Sequence, residues 1–404
     1  MSKVTSLFAK EVPDSRENPT VEVLIFLDKF SGKAGVPSGA STGAHEAFSL
    51  PASQAINNIN NEIAKNIIGK EFNQKSLDEF LITLDGTKNK NRLGANAILA
   101  VSLAFTRTSS AEKGLELYEY IGQLSDNSDY KIPQPMFKII NGGKHTDNGL
   151  DIQEFMVCPI KFETIRQKID ACQKIIVSLK IILEDKGYEI SFGDEGGFAP
   201  KLQSNEEALD LILLAIKNAG FSTEQVKLAI DVAASTFYKN GAYQLKTGGY
   251  RVKTREEMID WYENLISKYP IISIEDGLHE EDFDGFSEMS EKLGDKIMIV
   301  GDDLTVTNIS RIKTALEKKA INSVIIKPNQ IGSLTETLES IALAIQNGIV
   351  PIVSHRSGET LDSFIADLAV GLGCPYFKSG SLVQPERMSK YQRLVEIENI
   401  LQKK

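Results

Sequence analysis

Residues 4–12 and 20–28 (the latter within PTVEVLIFLD) alternate apolar and polar positions, with Asp14, Asn18 and Pro19 between them, so the spacing predicts an antiparallel meander. VPSGASTG, residues 36–43, places two glycines and three hydroxyls in a loop. It lacks the lysine that completes a P-loop, which argues against nucleotide binding. Helical periodicity runs from about 53 to 121, with LGANAILAVSLAFTRTSSA as a small-residue helix suited to close packing. Asp126 to Tyr130 is polar and reads as a linker.

Beyond it, PMFKIINGGKH and DIQEFMVCP read as two strands joined by a Gly-rich turn, followed by a helix over about 162–186. Strands are then expected at 189–197, 226–233, 271–278, 296–304, 322–330 and 350–358, alternating with amphipathic stretches such as NEEALDLILLAIKNAG. Strands apolar on both faces that alternate with helices imply a parallel sheet, and this many repeats suit a closed β/α barrel. An open doubly wound sheet is the runner-up. The expected organisation is α/β: a smaller α+β domain over 1–128, then a TIM-like barrel over 129–404 that opens with an antiparallel hairpin.

Composition narrows the class. A chain of 404 residues exceeds one typical core, and the net charge of −10 with no basic block argues against nucleic acid. Three cysteines, none in a CxxC pair, suit a reducing compartment. No apolar run reaches membrane-spanning length, and the expectation is a soluble, cytoplasmic protein.

Each of the six expected strands breaks off at an ionisable residue: Glu195, Asp231, Glu275, Asp302, Lys327 and His355. In a β/α barrel such ends converge on one mouth, where active sites of this fold lie. Three ends carry adjacent acids, Asp194-Glu195, Glu275-Asp276 and Asp302-Asp303, and periodicity alone does not say which member faces inward. Converging carboxylates with no histidine cluster favour Mg²⁺, or Mn²⁺, over zinc. Arg356, Ser357 and Lys378 suit a phosphate or carboxylate on the substrate. Lys327, at the end of NSVIIKP, reads alone as a solvated strand end; its company makes it a candidate base.

These motifs resemble those of the enolases, the phosphopyruvate hydratases of glycolysis and gluconeogenesis. The resemblance runs through DSRENPTVEV, VPSGASTG, LDGTKNK, LGANAILAVSLA, IINGGKH, DIQEFM, GDEGGFAP, SIEDGL, VGDDLTVTN, IIKPNQIGSLTET, SHRSGET and FKSG. It implies reversible dehydration of 2-phosphoglycerate to phosphoenolpyruvate with two Mg²⁺ per site, one tight and one substrate-linked. By motif, Asp231, Glu275 and Asp302 would hold the first ion, and Ser41 in the loop would join the second. Lys327 matches the general base, and Glu195 assisted by Glu154 the acid. His145, His355, Arg356, Ser357 and Lys378 match groups around the substrate. An efficient lysine base requires its ammonium to be disfavoured by about 4 kcal/mol, which the ions and Lys378 would supply by repulsion. Glu195 would need the opposite, a raised pKa from the like charge of Asp194 and Glu154.

The chain departs from the family pattern away from the mouth. Glu17 stands where enolases usually have glycine, a segment is missing after Leu50, and Gln384 and Glu396 stand where they have arginine. The resemblance implies a homo-oligomer, dimer-based, in which the second arginine meets the acid matching Glu22. With Glu396 in its place, like charges would face each other. Another enolase-superfamily dehydratase would carry a KxK strand, and Lys88-Asn89-Lys90 lies instead in a polar loop. A third reading is a catalytically weakened enolase-like chain kept as a surface-binding protein, with Lys403-Lys404 as its lysine tail.

Overall fold

The computed structural model describes residues 1–39 and 43–403. Ser41 and Lys404 therefore lie outside the described residues. The chain opens with an antiparallel sheet of β1 (Ser2–Pro13), β2 (Pro19–Leu27), β3 (Phe30–Gly35) and a two-residue β4 (Glu71–Phe72), in the order β3-β2-β1-β4. The meander thus has a third strand that the alternation did not predict. FSGKAG carries little apolar side chain, because helix Ala95–Glu112 packs directly on β2 and β3. That helix is buried on nearly every side, as its small residues allow.

Eight further strands close into a barrel: β5 (Gln134–Asn141), β6 (Glu154–Pro159), β7 (Val226–Asp231), β11 (Ile271–Glu275), β12 (Met298–Gly301), β13 (Ser323–Ile326), β14 (Val350–Ser354) and β15 (Tyr376–Lys378). A small sheet of β8 (Tyr238–Lys239), β9 (Ala242–Leu245) and β10 (Arg251–Lys253) interrupts the series after β7. Closure excludes the open doubly wound sheet. β6 runs antiparallel to both β5 and β7, while the other barrel neighbours are parallel, so the opening hairpin is present as expected.

Residues 189–197 depart from the expected strand. They form a tight turn, closed by Gly193 N–H to the Gly197 carbonyl at 2.9 Å and Gly196 N–H to the Gly193 carbonyl at 3.0 Å. The turn lies flat on Asn141 at the end of β5, and a Cβ on Gly197 would meet Asn141 Oδ1 at 2.2 Å. Helices Ile165–Asp185 and Asn205–Asn218 therefore follow each other with no barrel strand between them.

Inside the barrel, Met136, Met156, Cys158, Ala229, Val300, Ile325 and Ile352 make a separate apolar plug. Successive residues of a strand face opposite ways, so the residues two places nearer the mouth share the plug's face. Those residues are Lys138, Glu154, Asp231, Asp302, Lys327 and Ser354. The sequence places a charged layer directly over an oily one.

Candidate active site

Parallel register sets the strand ends level: Asp231 lies beside Glu275, and Ser354 beside Lys378. β6 runs the other way, so its first residue, Glu154, reaches the same level. The resulting pocket has a free volume of about 30 Å³ and is lined by His145, Glu154, Glu195, Asp231, Asp302, Lys327, His355, Arg356, Ser357 and Lys378, with Gln153, Ala233, Asp276, Asp303 and Ser354. Glu275 accepts from Lys378 Nζ at 2.8 Å and is not part of the lining.

Lys327 has extended backbone, as the following proline requires, and Pro328 opens a four-residue helix. Its ammonium contacts Asp302 Oδ2, and Asp302 Oδ1 accepts from Gln330 Nε2 at 2.9 Å. Burial and the Arg356 and Lys378 charges push the Lys327 proton affinity down. The Asp302 carboxylate outweighs them and leaves Lys327 above the usual lysine range. Asp302 is correspondingly lowered, its burial overcome by Lys327 and Lys378.

Lys378 Nζ sits among acids, 2.8 Å from both Glu275 oxygens, 2.9 Å from Glu154 Oε2 and 3.6 Å from Asp231 Oδ2. Burial together with acid-acid repulsion pushes Asp231 up to about 6 and Glu275 well above the carboxylate range, even with this ammonium present. Crowded, buried, all-oxygen donors around a stand-in cation fit a hard divalent ion. Asp231, Glu275 and Asp302 are gathered at one mouth but spread around two ammonium groups. The tighter acid triad, within 4.8 Å, is Asp276, Asp302 and Asp303. In it Asp276, at φ 44°, accepts from the Asp302 and Asp303 N–H groups at 2.9 and 2.8 Å. Asp276 therefore braces the turn while also lining the pocket, and Glu275 pairs with Lys378.

The raised proton affinity expected for Glu195 is not what its surroundings give. Its Oε2 contacts the Lys138 ammonium and lies 3.2 Å from His355 Nε2, while Oε1 lies 3.7 Å from His145 Nε2. Burial alone would raise it, but Lys138, His355 and His145 together hold it well below the usual carboxylate range. Lys138 was not picked out from the sequence because it lies inside β5 rather than at its end. The signal was there, since Met136 and Lys138 are two apart on an inward face. Arg387 was missed in the same way: fully buried, it donates to His355 Nδ1 at 2.7 Å and to the Ser357 carbonyl at 2.6 Å. Burial lowers His145 to about 4 and His355 to about 3, so both imidazoles are neutral.

The first domain reaches this rim. Arg356 is gripped by Glu46 at 2.9 and 3.0 Å and by Asn329 Oδ1 at 3.0 Å. Ser38 and Gly358 exchange backbone hydrogen bonds of 2.8 Å, and a Cβ on Gly358 would strike Asp14 Oδ2 at 2.2 Å. Asn96 ties Leu50 down through both backbone groups, and a helix starts at Ala52.

A family model described as the enolase C-terminal TIM barrel domain matches residues 129–404, and one for the enolase N-terminal domain matches residues 4–121. The chain belongs to the enolase family. In this enolase-family chain a larger cleft, of about 750 Å³, lies beside the C-terminal helix and contains Glu22 and Glu396. Both acids are partnered within the chain: Glu22 by Lys10 at 3.1 Å and Lys33 at 3.6 Å, Glu396 by Arg393 at 3.3 Å. Gln384 donates to the Asp194 carbonyl at 3.2 Å and so supports the Glu195 turn. No described helix is long and apolar enough to cross a membrane.

Proposed function

We propose that the chain catalyses the reversible, Mg²⁺-dependent dehydration of 2-phosphoglycerate to phosphoenolpyruvate. The observation that carries this reading is one buried pocket lined by both a lysine arm, Lys327 with Asp302, and a carboxylate arm, Glu195 with Glu154, with Asp231 beside them.

Lys327 takes the C2 proton, which lies next to the substrate carboxylate. The C3–O bond then breaks, and Glu195, which must enter this direction carrying a proton, gives it to the departing hydroxyl so that water leaves. Microscopic reversibility gives the ionised Glu195 found here the base role in water addition, where it takes a proton from the attacking water. Glu154, His145 and His355 orient that exchange, while Arg356, Ser357 and Lys378 hold the phosphate and carboxylate. Asp231, Glu275 and Asp302 would hold the tight ion, and Ser41 would join the substrate-linked one. Once bound, the ions supply positive charge that stabilises the growing negative charge on the substrate carboxylate. With Asp302 committed as a ligand, Arg356 and Lys378 remain as the charges that favour a neutral Lys327 amine. Assembly into a homo-oligomer, typical of the family, and a cytoplasmic setting belong to the same proposal.

The test is direct. Mixing the full chain with 2-phosphoglycerate and Mg²⁺ is expected to give an absorbance rise from the enol phosphate that chelator abolishes. No turnover across a range of Mg²⁺ concentrations would sink the reading.

A further inference from the structure

Lys138 is a wholly buried lysine that the reaction above leaves without a task. Its ammonium lies 2.6 Å from Glu154 Oε1, in contact with Glu195 Oε2, and 3.3 Å from His145 Nδ1. Three donor hydrogens thus meet three acceptors, one on each group of the acid arm. We propose that Lys138 is the positioning residue of that arm, fixing the two carboxylates and the imidazole tautomer that face the leaving hydroxyl. The inference rests on the reaction proposed above.

The hydrogen-bond chemistry leaves little choice of state. An ammonium only donates, so His145 Nδ1 must present its lone pair, and the ring hydrogen must sit on Nε2. His145 Nε2 lies 3.7 Å from Glu195 Oε1. Arg387 imposes the same tautomer on His355 from the other side, since a guanidinium also only donates, and His355 Nε2–H then faces Glu195 Oε2 at 3.2 Å. Glu195 is held by the Lys138 cation, with both imidazole Nε2 atoms turned to the same side at 3.2 and 3.7 Å from its oxygens.

The alternative is that Lys138 serves the fold alone. A buried cation paired with two acids is weak evidence for stability, because its desolvation offsets most of the attraction. Its position argues further: Glu154, Glu195 and His145 all line the pocket, whereas Lys138 does not. Lys138 can affect substrate only through them. The charged and titratable groups around Glu195 come from every element packed on it: Lys138 on β5, His145 after it, Glu154 on β6, His355 after β14, Lys378 on β15 and Arg387 on the C-terminal helix. Among them Lys138 is the principal counterweight to the burial of Glu195.

Lys138→Met and Lys138→Gln in the full chain test this. Each is expected to keep exchange of the 2-phosphoglycerate C2 proton with D₂O within a few-fold of wild type while net dehydration falls about 100-fold. The acidic limb of phosphoenolpyruvate hydration, where Glu195 must be ionised, is expected to move up by about one pH unit or more. The ¹⁵N shifts of the His145 ring are expected to change from a single Nε2–H tautomer to a mixture. In a Glu195→Gln background Lys138→Met should have little further effect on dehydration. Parallel loss of exchange and dehydration, or a folded variant with unmoved pH limb and unmoved tautomer, would overturn the proposal. If Lys138→Met does not fold, Lys138→Gln, which keeps a donor, carries the same readings. Absence of C2 exchange in wild type would count against the reaction itself, and the His145 tautomer would still decide the role of Lys138.

Discussion

Lys327 and Lys138 stand three strands apart around the same barrel, each against a carboxylate, and they differ in what surrounds the pair. The Lys327 side chain retains some exposure at the mouth and has one ion-pair partner, Asp302. Lys138 is sealed and shared among Glu154, Glu195 and His145. A lysine with a single detachable partner can change protonation state when that partner is engaged elsewhere. A lysine divided among three acceptors is fixed in place and acts by fixing its neighbours. The two arms therefore use the same residue types for opposite purposes.

Lys327→Ala separates them most sharply. It is expected to remove C2 proton exchange and turnover together, by about 10⁴-fold or more, because the proton acceptor itself is gone. Glu195→Gln should retain exchange and lose net dehydration by about 10²-fold or more, because only the second half of the reaction needs it. Exchange followed by NMR in D₂O reads both. Surviving exchange in Lys327→Ala would mean that the base lies elsewhere.

The comparison also explains what the sequence made legible. Lys327, Asp231, Glu275 and Asp302 lie at or just beyond the carboxyl ends of parallel strands, where interruption of an apolar run marks them. Glu154 begins its strand and reaches the mouth only because β6 is reversed. Lys138 lies mid-strand and is visible only through its two-residue spacing from Met136. The turn carrying Glu195 has apolar residues before it and reads as a strand, yet its glycines are spent on lying against Asn141. Ionisation states were least legible: the charge on Glu195 depends on Lys138 and two histidines that are remote from it in sequence.

A smaller effect probes the neutral histidines of the acid arm. His355 is held near 3 in the folded chain against about 6.5 unfolded, so between these values the unfolded chain binds the extra proton. Its contribution to stability is complete above about pH 6.5 and is lost as pH falls towards 3. At pH 5 the loss is on the order of 2 kcal/mol. Urea unfolding without added metal should therefore fall less steeply from pH 6.5 to 4 in His355→Gln than in wild type. Equal slopes would mean that His355 is charged in the folded chain, which would break the tautomer assigned to it by Arg387.

The smallest effect lies outside the mouth, in the turn that seats the first domain on it. Glu17 has φ of 63°, a left-handed conformation that disfavours side chains, and its N–H bonds the Asp14 carbonyl at 2.8 Å. The neighbouring Ser15 donates from Oγ to the Ser357 carbonyl at 3.2 Å and from its N–H to the Glu359 carbonyl at 2.7 Å, so the turn touches the Arg356 loop through Ser15 rather than through Glu17, whose side chain is exposed. Glycine would relieve roughly 1 kcal/mol of strain and return part of it as freedom of the unfolded chain, for a net gain of about 0.5 kcal/mol. Thermal unfolding of Glu17→Gly should rise slightly while kcat and KM stay unchanged. A changed KM would mean that the strained turn helps to set the position of Arg356, and that the mouth depends on the first domain more closely than these contacts imply.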